Sequence, residues 1–118
     1  MLLKKDQILA ADDLPFRDID VPEWGGSVRV RTMTGRERDA WESLIYVTTG
    51  KDVQFKKDDF RAKLLAKTIV DENGSLLFTE AEIAALSGKS SKVISRLFDA
   101  AQDLNGISKE VQENIEKK

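Results

Sequence analysis

The chain has 118 residues, carries 19 Lys and Arg against 21 Asp and Glu for a formal net charge of -2, and contains neither cysteine nor histidine. Those two absences exclude disulfides, thiolate nucleophiles, sulfur-bound zinc and every imidazole base, acid or metal ligand, so any chemistry would rest on carboxylates, Lys, Ser, Thr or the single Tyr46. With a charge so near zero and no basic half, the chain has no general attraction to nucleic acid or to anionic lipid.

The length predicts a single domain over residues 1–118, which on folding removes roughly 65% of its extended-chain surface from water. Its 41% hydrophobic content suits a folded core, and its 34% charged content predicts a well-solvated, Lys- and Glu-rich helical surface. The start Met1-Leu2-Leu3-Lys4-Lys5-Asp6 turns charged at once, unlike a signal peptide, and no run approaches the roughly 18 apolar residues of a membrane span. The expected location is the cytoplasm.

Leu3 to Ala11 sets Leu3, Ile8, Leu9 and Ala10 among charges, which predicts a two-turn helix too short to stand alone. From Phe16 the period changes to two: Phe16, Asp18 and Asp20 alternate with Arg17, Ile19 and Val21, and Val28, Val30 and Thr32 alternate with Arg29, Arg31 and Met33. Between them Pro22-Glu23-Trp24-Gly25-Gly26 predicts a β-hairpin with a five-residue loop. Thr34-Gly35-Arg36-Glu37 is a capping box, and the helix it opens places Ala40, Trp41, Leu44, Ile45 and Thr48 on one face before stopping at Thr49-Gly50.

Lys51 to Asp58 reads as a polar linker, followed from Asp59 by a helix with Phe60, Leu64, Leu65, Thr68 and Ile69 at helical spacing. Asn73-Gly74 is a strong turn signal for a second small hairpin, with Ile69-Val70 either closing the helix, forming a short strand, or both in sequence. A second capping box, Thr79 to Glu82, opens a short helix through Ile83 and Leu86 that Gly88 closes. Val93, Ile94, Leu97, Phe98, Ala101 and Leu104 form the most regular stripe, ended by Asn105-Gly106. Ser108 then caps a final helix, Lys109 to Lys118, whose narrow apolar side, Val111 and Ile115, predicts a loose tail. The fold class is α+β: a short helix and a hairpin, then a mostly helical body.

The candidate chemistry is thin. Asp71, Asn73, Ser75 and Glu82 fall at positions 1, 3, 5 and 12 of a calcium loop, but Leu76 stands where the turn needs glycine, so a plain turn plus capping box is the better account. Arg29, Arg31, Arg36 and Arg38 could form a basic patch, yet Asp18, Asp20, Glu37 and Asp39 are placed to neutralise it. Ser87, Ser90 and Ser91 beside Lys89 and Lys92 fit helix capping better than a nucleophile pair, and Asp12-Asp13 and Asp58-Asp59 fit helix ends. No catalytic residue, cofactor or metal is expected. Trp41 belongs to a helix's apolar face and hence to the core, whereas Trp24 in the hairpin loop either folds onto the sheet or stays out as a docking anchor.

The block Val21-Pro22-Glu23-Trp24-Gly25-Gly26-Ser27-Val28-Arg29-Val30-Arg31, running into Met33-Thr34-Gly35-Arg36-Glu37-Arg38-Asp39-Ala40-Trp41-Glu42, resembles the N-terminal part of tail assembly chaperones of long-tailed bacteriophages and prophages. Ile69-Val70-Asp71, the Phe78-Thr79 turn into Glu80 to Leu86, and Leu104-Asn105-Gly106-Ile107-Ser108 are similar to later parts of that family in the same order. The resemblance implies a non-catalytic assembly factor that binds the tape measure protein, keeps it soluble, helps recruit tail tube protein, and is absent from the finished virion. The partner-binding residues expected on this reading are Trp24, Val111 and Ile115, with a homo-oligomer allowed. The competing reading is a structural virion component such as a head-tail connector or tail terminator subunit.

Overall fold

The computed structural model describes residues 1–107, so the expected Ser108 cap and the final helix with Val111 and Ile115 lie outside the described residues. The alternation from Phe16 produces β1 (Phe16–Val21) and β2 (Gly26–Arg31), whose antiparallel register sets Asp18 opposite Arg29 and Ile19 opposite Val28. Ile19, Val21, Val28 and Val30 therefore share one face, and that face packs on the core. The connection is a 3-10 turn at Pro22–Trp24, closed by the Gly25 N–H donating to the Pro22 carbonyl at 3.0 Å. Gly25 has φ 79°, where a side chain is strained, but Gly26 pairs with Val21, so the loop is one residue shorter than expected.

The Thr34 capping box forms: its Oγ1 accepts from the Glu37 N–H at 3.1 Å and Glu37 Oε1 accepts from the Thr34 N–H at 2.9 Å. The helix it starts, α2 (Gly35–Ile45), buries Trp41 and Ile45 but stops short of Thr48. Instead Tyr46–Thr49 (β3) turns back at Gly50, φ 64°, and pairs with Asp52–Phe55 (β4). The expected linker is thus half strand. Val47, Thr48 and Thr49 are β-branched and favour extended backbone, and Tyr46 packs edge-on to Phe55 with centroids 5.5 Å apart.

The next helix, α3 (Phe60–Ala66), is buried at every position but Arg61 and forms the centre of the core. It follows Asp59, which has φ 53° and caps with no side-chain bond, contrary to the expectation for that carboxylate. Asp12-Asp13 likewise follow the C-terminus of the first helix, where a carboxylate is no partner for the helix dipole. Ile69–Val70 form β5, a strand after the helix, adding to β2 and giving the order β1-β2-β5. The Asn73-Gly74 turn closes a small hairpin, with a bridge between Val70 and Leu76 and the Asp71 N–H donating to the Ser75 carbonyl at 2.9 Å.

A 3-10 turn at Glu80–Glu82 leads into α4 (Ile83–Ser87), and α5 (Ser91–Asn105) ends on Gly106 with φ 59°. Ser90 occupies the N-cap of α5 but its hydroxyl makes no capping bond, so the serine-capping expectation fails there. The stripe of α5 lies along α3 and under β1 and β2. Phe60 joins Trp41, Phe55 and Phe98 through ring centroids 6.2, 5.8 and 5.5 Å away, tying the second hairpin to the core. At the other extreme α1 (Lys5–Ala10) buries none of its residues.

Candidate partner-binding groove

Trp24 stands at the tip of the first hairpin, and its position is held from α5. Arg96 donates through Nη1 to Glu23 Oε1 at 2.9 Å and through Nη2 to Glu23 Oε2 at 2.7 Å, with a further contact from Nη1 to the Asp20 carbonyl at 3.4 Å. These charge-assisted bonds, with the Glu23 backbone, hold the Glu23 carboxyl down at about 2. The turn carrying Trp24 is therefore braced before any partner arrives.

The indole answers both alternatives for Trp24 at once. It is 37% exposed and forms the wall between two adjoining hollows that also share Phe78. One, of about 470 Å³, has Val28, Ile69 and Leu77 in its lining; the other, of about 570 Å³, is bounded by Ala85, Leu86 and Lys89. Lys89 Nζ lies 6.0 Å from the indole centroid. Asp18, Asp71, Glu72 and Glu82 stand along the edges, with Arg29 paired to Asp18 at 2.8 Å. That pair holds the Asp18 carboxyl below its ordinary range, chiefly by the side-chain hydrogen bond. An apolar floor with a charged rim accepts one face of an amphipathic helix.

The other candidates dissolve. Arg29 pairs with Asp18 at 2.8 Å, Arg31 with Glu37 at 2.6 Å and Arg38 with Glu42 rather than Asp39 at 3.6 Å, so three of the four arginines of the basic patch are ion-paired. Asp71 Oδ1 accepts from the N–H groups of Asn73 and Ser75 at 2.8 and 3.0 Å, and Glu82 caps Thr79, which is turn chemistry. Among the described residues no group of three or more acidic side chains is placed to hold a metal ion. Ser87 and Ser91 line a hollow of about 300 Å³ with Lys89, but among the described residues neither is hydrogen-bonded to an amine or a carboxylate. Trp41 is core, as expected.

Leu77, Phe78 and Leu86 complete the groove, and the sequence did not mark them as binding residues. Phe78 sits between a turn and a capping box, and only the fold brings that short apolar run against Trp24. A family model described as phage tail assembly chaperone matches residues 4–118. The chain belongs to the phage tail assembly chaperone family. The chaperone's fold is similar to the solved structure of the bacteriophage HK97 tail assembly chaperone, with a TM-score of 0.58 and 21% identity over 87% of this chain and 94% of that one. At that identity the likeness shows the fold. No curated protein matches the chaperone significantly. Membership of the family makes the chaperone a non-catalytic assembly factor, in keeping with a site built of apolar surface. Among the described residues no helix is long and apolar enough to cross a membrane.

Proposed function

We propose that the chaperone binds amphipathic helices of the tape measure protein in the groove beside Trp24, keeps that long chain soluble, and helps bring tail tube protein to it. It does so in the host cytoplasm, with residues 1–118 acting as one unit, and leaves before the particle is complete. The observation that carries this reading is the braced, apolar, acid-rimmed groove, whose dimensions and chemistry suit a helix face. Val111 and Ile115 are proposed as a second, weaker contact to the same client.

Co-expression tests it. The tape measure chain should remain soluble with the wild-type chaperone and precipitate with Trp24→Ala, with a smaller loss for Ile115→Asp. Mass spectrometry of purified particles should detect no chaperone. Failure to bind or solubilise the tape measure chain overturns the reading, and retention in particles would favour a structural virion component.

A further inference from the structure

The sequence holds two Asn-Gly pairs, Asn73-Gly74 and Asn105-Gly106, and the fold treats them in opposite ways. Such a pair is open to attack within the chain, because glycine has no side chain to screen its backbone nitrogen from the amide carbon of the asparagine before it. Asn105 is locked against that attack. Its Oδ1 accepts from the Met33 N–H and its Nδ2 donates to the Ala101 carbonyl, each at 2.7 Å, where α5 ends on the core. Turning this amide toward Gly106 would break both bonds. Asn73 is instead exposed at the tip of the small hairpin, and among the described residues its side-chain amide has no partner. The space beside Gly74 is open as well, since a Cβ there would meet only Arg31 Nη1, at 3.7 Å.

We infer that Asn73 is a site of spontaneous deamidation whose pace is set by Asp71. The Gly74 nitrogen attacks Asn73 Cγ and closes a succinimide ring. The Cγ–Nδ2 bond breaks, and Nδ2 leaves as ammonia with the proton that the Gly74 nitrogen gives up. Water then opens the ring. Cleavage between Cγ and the Gly74 nitrogen leaves aspartate, whereas cleavage between that nitrogen and the Asn73 main-chain carbonyl carbon leaves isoaspartate, with the chain running through the former side chain. A water is consumed and an ammonia released, with no oxidant or reductant. Asp71 holds the turn against this reaction: its carbonyl accepts from the Gly74 N–H at 3.0 Å, and its Oδ1 accepts from the Asn73 and Ser75 N–H groups at 2.8 and 3.0 Å. Attack at Asn73 therefore waits on a local opening of that clamp, while attack at Asn105 waits on the end of α5 leaving the core. The product falls at the groove's rim. It sets a new carboxylate beside Asp71 and Glu72, and in the isoaspartyl form it lengthens the main chain ahead of the Gly74 carbonyl, which accepts from Arg31 Nη1 at 2.6 Å. The chemistry is independent of what the groove binds.

Peptide mapping by mass spectrometry tests it on the full folded chain, kept in mildly alkaline buffer and sampled over weeks, with isoaspartate distinguished from aspartate by fragmentation. Asn73 should convert on the order of tenfold faster than Asn105, to both products. Asp71→Ala keeps the main-chain acceptor but releases the Asn73 and Ser75 N–H groups, and should speed Asn73 roughly fivefold while leaving Asn105 unchanged. Acceleration at both asparagines would mean that this variant has unfolded. Asp71→Asn, which retains a weaker acceptor, is then read in its place and should speed Asn73 roughly twofold. An Asn73 that stays an amide, an Asn105 that converts as fast, or an Asn73 rate that the folded Asp71 variant does not raise overturns the proposal.

Discussion

Arg96 on α5 grips the Glu23 carboxylate with both terminal nitrogens, at 2.7 and 2.9 Å, across 73 residues of sequence. Through that pair the long helix that packs on the core also sets the orientation of the hairpin tip, and with it the wall of the groove.

The pair has a pH signature. Glu23 is held at about 2 in the folded chain against an ordinary 4.5, so its stabilising contribution is fully present above 4.5 and is lost as the pH falls through 2. The melting temperature of the wild type should exceed that of Glu23→Gln at neutral pH, and the gap should close between pH 4.5 and 2. A gap that does not change with pH would show that the carboxylate's charge is irrelevant.

Glu37 has two duties, and removing it should reveal both. Its Oε1 accepts from Arg31 Nη2 at 2.6 Å and from the Thr34 N–H at 2.9 Å, with the Arg31 and Glu37 side chains only 11% and 19% exposed. Glu37→Ala leaves a largely enclosed guanidinium without its carboxylate and removes the Glu37 half of the α2 capping box, at a cost of roughly 2 kcal/mol in urea unfolding. Glu37→Gln keeps the cap and should lose less.

Trp41 is 1% exposed, and among the described residues its Nε1–H has no partner. Trp41→Phe removes that orphan donor along with some volume, so the two effects oppose each other and the net loss should be about 1 kcal/mol. Trp41→Ala removes the same donor but leaves a far larger cavity and should lose about 3–5 kcal/mol. A loss for Trp41→Phe well above about 1 kcal/mol would mean that removing the indole N–H brings no gain to offset the lost volume.

Asn105 joins the end of α5 to the segment before α2. Its Oδ1 accepts from the Met33 N–H at 2.7 Å while its Nδ2 donates to the Ala101 carbonyl at 2.7 Å. Asn105→Ala strands a part-buried N–H and should cost roughly 1–2 kcal/mol by chemical denaturation. Amide exchange at Met33 should accelerate with it.

Much of this molecule was legible because its signals are local. Period-two alternation found β1 and β2, two Ser/Thr-x-x-Glu boxes found two helix starts, and Asn73-Gly74 found a turn. The β3–β4 hairpin escaped because Trp41, Leu44, Ile45 and Thr48 continue a helical stripe on paper, while Lys51 to Asp58 is polar enough to pass for a linker. Its signal was Gly50 between Tyr46/Thr48 and Val53/Phe55, and it acts only once Phe55 can reach Phe60. Trp24 was legible as half of a site; Phe78 and Leu86 were legible only as part of a turn and a short helix, since nothing near them in the chain says that they face Trp24.

By itself the sequence determined what chemistry is absent, with no imidazole and no thiol, and which segments curl or extend, because capping, turn residues and side-chain period act within a few residues. It also carried the ordered blocks that place the chain among the tail assembly chaperones. Tertiary structure alone decided where the groove lies, since its walls come from β2, β5, the turn after it and α4. It also decided that α1 stays bare, because burial is a property of what other elements leave uncovered, and no residue's own neighbours in the chain can specify that.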